Sequence, residues 1–234
     1  MSENQKGRPA FLLICVKIFS IQINGIDLYF LNKIISINIF YVFFIILCFL
    51  FIINGSNLID GFNGLLAFQL IIINSILLFI NIENELQTIS IFITAQIIIL
   101  LVFLLFNFPT AKLFMGDGGA YLFGTLTALN VIETNNLNPN TSSFFYCILL
   151  FYLFFEVFFS FFRKLIQKKS PIKPDGEHLH MLTYKLLKIG KPAKDCNYQN
   201  TLLINFTYCL LVFPSILLKE SGALCKYWFF SLII

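Results

Sequence analysis

The sequence predicts an all-α fold, a polytopic bundle of transmembrane helices. Of its 234 residues, 58% are hydrophobic and only 12% are charged, and the mean hydropathy is +0.84. Several apolar runs reach about 18 residues or more, long enough to cross a hydrocarbon core of roughly 30 Å. Backbone groups in lipid must find partners within their own segment, and these runs lack the two-residue alternation of a barrel strand, so we expect helices.

Eight apolar runs are candidate spans, and we interpret residues 1–234 as one membrane domain. The first run contains Lys17, and both the first and the last run are short. The runs cover residues 11–23, 34–53, 65–80, 89–106, 120–132, 144–162, 202–218 and 224–234. The basic N-terminus has no small-residue cleavage site, so a removable signal peptide is not expected.

The distribution of charge predicts which helix ends face the cytoplasm. Residues 163–194 contain nine Lys and Arg residues, whereas residues 81–88 and 133–143 contain none. By the positive-inside rule the basic loop is cytoplasmic and the other two loops lie on the opposite side. Threading the chain from that anchor gives three cytoplasmic loops with candidate chemistry, at residues 54–64, 107–118 and 163–200.

The stretch 54–65, NGSNLIDGFNGL, is unusually polar for a position between two apolar runs. Its polar side chains include Asn54, Asn57, Asp60 and Asn63. Hydrophobicity gives no reason for so much polarity at the end of a membrane helix. The stretch is therefore either a turn exposed to water or part of a site.

The second loop contains an aspartate among glycines, Asp117 in Gly-Asp-Gly-Gly. Glycine lacks a Cβ and permits positive φ, so a phosphate or a hydrated metal can approach closely. A carboxylate there suits Mg²⁺, which often contacts one or two carboxylates together with substrate phosphates. Lys112 could act as a counter-charge for phosphate. The alternative is an ordinary turn before a helix.

The third loop holds both histidines of the chain, His178 and His180, close to Asp175 and within a run of cations. The cations alone could be a positive-inside signal or a patch for anionic lipid headgroups. The paired histidines suggest phosphate contact or proton transfer, and a solvated loop with incidental histidines is the alternative. An acidic residue inside a span, Glu156, is either functional or pairs with Arg163, two helical turns further on.

Taken together, the three loops resemble the polyprenyl-phosphate N-acetylhexosamine-1-phosphate transferase family, glycosyltransferase family 4. The resemblance covers residues 34–187, and its third loop is more similar to the sugar-lipid branch than to the muramoyl-peptide branch. The matching motifs are Asn54-x-x-Asn57-x-x-Asp60-Gly61-x-x-Gly64-Leu65, Pro109-x-Ala111-Lys112-x-x-Met115-Gly116-Asp117-x-Gly119 and Ser170-Pro171-x-x-Pro174-Asp175-x-x-His178-Leu179-His180.

The resemblance implies a role for each matching polar residue. It implies catalytic roles for Asp60, Asp117, His178 and His180. It implies substrate-binding roles for Asn54, Asn57, Lys112 and Asp175. Asp117 matches the metal-ligating aspartate of the family, so Mg²⁺ is the expected cofactor, with Mn²⁺ as an alternative.

The implied reaction is transfer of a sugar 1-phosphate from a UDP-sugar to undecaprenyl phosphate, which starts synthesis of a cell-envelope polysaccharide. The expected location is the bacterial inner membrane, with the loops on the cytoplasmic side. The expected partners are the UDP-sugar, undecaprenyl phosphate and membrane lipid. A homodimer is left open, and no nucleic acid is expected.

Three features depart from the family pattern. The chain has no Asp-Asp pair and fewer spans than family members, so we expect it to lack the N-terminal third of the family fold. Asn63 stands where many members have Asp, and Met181 stands where many have a third His. The alternative to an active transferase is therefore a truncated, catalytically inactive remnant or a lipid-binding membrane protein of the same family.

Overall fold

The computed structural model describes residue 23 and residues 26–170, 176–189 and 193–233, with the backbone alone at 193–195. Within these residues the chain is all-helical, as predicted. The helices are α1 (Tyr29–Ile35), α2 (Asn38–Ile59), α3 (Leu65–Glu83), α4 (Gln87–Asn107), α5 (Gly116–Leu137), α6 (Ser143–Leu149), α7 (Phe151–Ile166), α8 (Leu179–Leu187), α9 (Ala193–Leu217) and α10 (Gly222–Ile233).

Four of the described helices are long and apolar enough to cross a membrane: α2, α3, α4 and the Cys196–Leu217 part of α9. Helices α6 and α7 are bent by 71° relative to each other and could form a fifth, broken span. The predicted count of eight is therefore not confirmed. The run 11–23 lies outside the described residues, α5 is too polar to qualify, and the 12 residues of α10 reach only about 18 Å.

Helix α3 lies at the centre of the bundle. It packs against α4, α5 and α9. In its most apolar stretch of 18 residues 56% of the residues are buried, compared with 28% in the corresponding stretch of α2. Helix α2 packs against α5 and α7. The candidate spans therefore surround α3, and the loops at the ends of α2, α3, α4 and α5 are held close to one another.

Small residues allow the backbone of α2 to approach its neighbours closely. A Cβ added to Gly55 would lie 2.3 Å from the backbone oxygen of Leu153 on α7. A Cβ added to Gly124 on α5 would lie 2.7 Å from Oγ of Ser56. Interfaces between membrane helices are enriched in such small residues because packing drives their association. The glycines therefore fix how α2 meets α5 and α7.

Buried amide side chains connect α3, α4 and α5 inside the bundle. Asn130 on α5 donates to Asn74 on α3 at 2.8 Å and to Gln96 on α4 at 2.9 Å. Asn81, two turns further along α3, donates to Thr134 on α5 at 2.8 Å. Hydrogen bonds of this kind contribute about 0.6 to 2 kcal/mol each in membranes. They also fix the register of the three helices, since a shifted helix would leave these groups unpaired.

Candidate active site

The polar stretch 54–65 is largely helical rather than a loop. Helix α2 continues to Ile59, so Asn54 and Asn57 lie in its last two turns, and the Asn54 side chain donates to the carbonyl of Leu50 at 2.6 Å. The predicted loop 54–64 therefore starts too early, because residues 54–59 are helical. Gly55 and Ser56 are buried against neighbouring helices, and this packing overrides their low helix propensity.

The end of α2 faces the start of α5, and this brings Asp60 and Asp117 together. Asp60 is the C-cap of α2, and its carboxylate accepts a hydrogen bond from the backbone N–H of Gly116. Asp117 is exposed in the first turn of α5, so the predicted loop 107–118 is in fact shorter at both ends. Burial, with the nearby charge of Asp117 as a smaller cause, raises the pKa of Asp60 to about 6 despite the Gly116 hydrogen bond.

Two asparagines join the first loop to the second. The side chain of Asn107, at the end of α4, accepts from the backbone N–H of Gly64 at 2.5 Å and donates to the carbonyl of Leu113 at 2.6 Å. Asn63 donates to the carbonyl of Pro109 at 2.8 Å. An ionised Asp at this position could not donate this hydrogen bond.

The same Asn63 is also held by α9. Its backbone N–H donates to the side chain of Asn197 at 2.9 Å, and its carbonyl accepts from the hydroxyl of Thr201 at 2.8 Å. Gly64 follows with φ of +76°, a conformation that glycine adopts without strain. Asn197 and Thr201 could not be predicted as partners of Asn63, because more than 130 residues separate them from it and no local pattern indicates the contact.

Both histidines are buried and share one carboxylate. Nδ1 of His178 lies 3.0 Å from Oε2 of Glu156, and Nδ1 of His180 lies 3.0 Å from Oε1 of the same residue. The hydroxyl of Tyr152 donates to Oε1 at 3.2 Å. Of the two alternatives for Glu156, the pairing with Arg163 is not found, because Glu156 contacts the histidines and Arg163 forms an ion pair with Glu177 at 3.4 Å.

An aromatic contact links the histidines to the first loop. The ring of Phe62, between Asp60 and Asn63, packs edge-on against His180 with a centroid distance of 5.6 Å. Asn200 on α9 donates to the carbonyl of His180 at 2.8 Å. The structure therefore brings His178 and His180 to the same end of the bundle as Asp60 and Asp117. Part of the predicted loop 163–200 is helical, since it contains the last residues of α7, all of α8 and the first residues of α9.

Lys112 and Asp175 are the remaining predicted site residues. Lys112 is exposed between α4 and α5, and its backbone N–H donates to Phe106 at 2.8 Å. Asp175 lies outside the described residues. Among the residues that the structure describes, no group of three or more His, Cys, Asp or Glu side chains could hold a metal ion. A metal at Asp117 would therefore need ligands from substrate or water.

An apolar cavity of about 260 Å³ lies beside the histidines. It is lined mainly by side chains of α6, α7, α8, α9 and α10, among them Tyr152, Phe155, Leu179, Thr183 and Tyr208. Tyr152 also contacts Glu156, so the cavity begins next to the carboxylate that holds His178 and His180.

Comparison with known proteins finds transferases whose sequences are similar to this chain. The chain is 32% identical over 193 residues to the undecaprenyl-phosphate alpha-N-acetylglucosaminyl 1-phosphate transferase of Thermotoga maritima. The matched region covers 82% of the chain and 54% of that relative. The chain is 31% identical over 189 residues to the phospho-N-acetylmuramoyl-pentapeptide-transferase of Dictyoglomus turgidum, covering 78% of the chain and 60% of the relative.

A third relative, the probable undecaprenyl-phosphate N-acetylglucosaminyl 1-phosphate transferase of Bacillus subtilis, is 29% identical over 59% of the chain and 38% of its own length. The chain thus spans about half the length of the curated relatives it matches. Residues 7–135, more than half of the chain, match the profile of the family described as Glycosyl transferase family 4. The chain therefore belongs to glycosyl transferase family 4.

Proposed function

We propose that the protein transfers a sugar 1-phosphate, N-acetylhexosamine 1-phosphate, from a UDP-sugar to undecaprenyl phosphate at the cytoplasmic face of the bacterial inner membrane. An oxygen of the lipid phosphate attacks the β-phosphorus of the UDP-sugar. The bond between that phosphorus and the oxygen bridging to the α-phosphate breaks, and UMP leaves. The product is a sugar joined to the lipid through a diphosphate.

The observation that carries the proposal is the pairing of Asp60 with Asp117. These carboxylates come from the ends of separate helices, and burial, with the nearby charge of Asp117 as a smaller cause, raises the pKa of Asp60 and so disfavours its ionised form. A divalent cation favours the ionised form, and Mg²⁺ commonly takes one or two carboxylates with substrate phosphates. Asp117 would hold the ion with Asp60 beside it, and the ion would neutralise charge on the diphosphate.

The surrounding residues suit the two substrates. Asn57 precedes Asp60 by three positions and therefore lies on the same side of α2, where its amide could contact the nucleotide-sugar. Lys112 is exposed and could neutralise phosphate charge. Phosphoryl transfer depends mainly on positioning and on charge neutralisation, which these groups can supply. The apolar cavity beside His178 and His180 offers a place for part of a lipid tail.

Turnover by the purified chain tests this proposal. The chain is placed in lipid nanodiscs with undecaprenyl phosphate, radiolabelled UDP-N-acetylglucosamine and Mg²⁺, and both UMP and labelled lipid are measured. We expect the two products in equal amounts, no product with EDTA, and loss of at least about 100-fold in rate for Asp117→Asn, because one side chain can be worth several kcal/mol in such a site.

The matched control is Glu133→Gln, which removes one charge from the exposed far end of the same helix, about 24 Å away. We expect it to react at the wild-type rate. No turnover above Asp117→Asn would contradict the proposal for this chain. Binding of undecaprenyl phosphate without turnover would favour the inactive, lipid-binding alternative.

A further inference from the structure

One carboxylate in the middle of α7 contacts both histidines of the chain. The Glu156 side chain is fully buried, and each of its oxygens lies 3.0 Å from Nδ1 of a different imidazole. The two rings are parallel to within 8°, with centroids 5.5 Å apart. A single acidic group therefore sets the orientation of two rings at once.

The contacts also determine which ring nitrogen carries the proton. An ionised carboxylate has no hydrogen to donate, so the Nδ1 atoms of His178 and His180 must be the donors. In a neutral imidazole the other nitrogen, Nε2, then carries no hydrogen, and a second proton taken up by the ring is carried there. The hydrogen bond at one nitrogen of a histidine thus fixes the chemistry available at the other.

The environment of His180 leaves one buried ring nitrogen without a hydrogen-bond partner in the described part of the chain. His180 is fully buried, and its Nε2 atom has no hydrogen-bond partner among the described residues. Leaving a buried polar atom unpaired costs about 1–3 kcal/mol. The ring also packs against Phe62, two residues after Asp60, so this unpaired nitrogen belongs to the same end of the bundle as the carboxylate pair.

A purely structural explanation accounts for these contacts less well. An ionisable residue within an apolar helix is expensive, and a packed apolar side chain would serve the bundle as well or better. Glu156 also does not balance the cations at the end of α7, because Arg163 and Lys169 form ion pairs with Glu177. Its contacts instead go to two imidazoles and to the Tyr152 hydroxyl.

We infer that Glu156 is a positioning residue that accepts the Nδ1–H hydrogen bonds of His178 and His180 and so makes Nε2 of His180 the atom that gains a proton and donates it in a hydrogen bond to a phosphate group of the substrate. The inference deepens the proposed transferase function and rests on it for the identity of the phosphate. Glu156 itself touches no substrate and acts through the two rings.

Nuclear magnetic resonance tests the tautomers without any turnover. The chain has only two histidines, so ¹⁵N-histidine labelling of the full chain, carried on a tag without histidine, gives two imidazole signal sets. Single His178→Gln and His180→Gln variants assign them. At a pH about two units above the ordinary imidazole pKa of ~6.5, we expect proton-bearing Nδ1 and bare Nε2 in both rings.

The Glu156→Gln variant sharpens the experiment. A glutamine side chain can accept one hydrogen bond through its oxygen but must donate the other through its NH₂ group. We therefore expect one histidine to move its proton to Nε2 in this variant, while Tyr152→Phe leaves both tautomers unchanged. Wild-type rings that carry the proton on Nε2, or that average between tautomers, would overturn the inference. Glu156→Asp keeps a carboxylate if the glutamine variant fails to fold.

Kinetics then separate positioning from folding. We expect Glu156→Gln to lower kcat by about 10- to 100-fold, the usual effect of removing a group that orients a histidine in a metal site, while the KM for the UDP-sugar stays unchanged. Glu156→Asp should recover part of kcat, and Glu133→Gln should match wild type. An unchanged kcat per folded molecule in Glu156→Gln would contradict positioning. Absence of wild-type turnover would instead contradict the proposed function, and the spectra would still test the tautomers.

Discussion

Asp60 is the residue whose chemistry most directly reflects the site. Among the described residues its carboxyl group has no cationic partner; it receives one backbone hydrogen bond, from Gly116, and lies near a second acid, Asp117. A partly buried acid beside a second acid is unfavourable for stability, whereas a bound cation would favour both ionised carboxylates. Function and stability are therefore opposed at this position.

The first prediction concerns the stability of Asp60→Asn. A carboxyl group whose pKa rises on folding favours the folded state below the unfolded pKa of about 3.9, and this contribution is lost as the pH rises through about 6. In metal-free buffer we expect Asp60→Asn to raise the Tm near pH 8 and to leave it unchanged near pH 4, as measured by thermal unfolding in detergent.

Glu133→Gln is the control for Asp60→Asn, because Glu133 is exposed, and its Tm should follow wild type at every pH. A Tm for Asp60→Asn that equals or falls below wild type near pH 8 would show that the Asp60 carboxyl is not disfavoured in its ionised form.

At the scale of elements, the site depends on helix ends that are joined by side chains rather than by long ordered loops. Asn107 at the end of α4 contacts the start of α3 through Gly64 and the α4–α5 connection through Leu113. Asn63 contacts the same connection and α9. These contacts hold Asp60 and Asp117 in a common frame.

The second prediction follows from Asn107. Asn107→Ala leaves the buried N–H of Gly64 without its acceptor, which should cost about 1–3 kcal/mol of unfolding free energy and reduce turnover. Thr94→Ala on the same helix is the control, because the exposed Thr94 hydroxyl bonds only to its own helix at Ser90, and its effect should stay within about 0.5 kcal/mol. Equal stabilities for the two variants would refute the role of Asn107.

The third prediction concerns the contact between α2 and α7. A methyl group at Gly55 would lie 2.3 Å from a backbone oxygen of Leu153, so Gly55→Ala should push the helices apart and lower stability by about 1–3 kcal/mol. A Cβ on Gly61 would meet nothing within 4 Å, so Gly61→Ala is the matched control. Thermal unfolding measures both, and a tolerated Gly55→Ala would contradict the close approach.

At the scale of the whole molecule, all the candidate chemistry is expected on one membrane face. The Asp60–Asp117 pair, the histidines and the basic segment 163–170 lie at the same end of the bundle. Glu83 is the last residue of α3, at its other end, and Glu85 follows two residues later. This arrangement suits a reaction in which a soluble nucleotide meets a lipid headgroup.

The fourth prediction tests that orientation. Fusions of green fluorescent protein or alkaline phosphatase after residues 85 and 169 report the side of the membrane, since the first fluoresces in the cytoplasm and the second is active outside it. We expect fluorescence at 169 and phosphatase activity at 85. The reverse pattern would place the candidate site away from the cytoplasmic nucleotide pool.

Hydropathy alone locates α2, α3, α4 and most of α9, because an apolar run of sufficient length determines a span by itself. It misjudges the end of α2, where Gly55 and Ser56 are held helical by contacts with other helices. It also gives no partners for Asn74 or Asn130, which depend on helix register. Such facts arise from tertiary packing and cannot be derived from a local pattern.

The candidate site, like the fold, is predictable from the sequence only in part. The resemblance to the transferase family groups Asp60, Asp117, His178 and His180 in one hypothesis, and the structure brings them to one end of the bundle. The role of Glu156 could not be derived, because a chain segment of more than 20 residues separates it from the histidines. Its position within a membrane helix was the only signal that it had a special partner.

The measurement that tests the central claim most directly is binding of Mn²⁺, as a paramagnetic substitute for Mg²⁺, followed by electron paramagnetic resonance with UDP-N-acetylglucosamine present. We expect one ion per chain, and at least about tenfold weaker binding, or 1.4 kcal/mol, for both Asp60→Asn and Asp117→Asn. Glu133→Gln should bind like wild type. Unchanged binding in Asp117→Asn would show that the carboxylate pair is not the metal site.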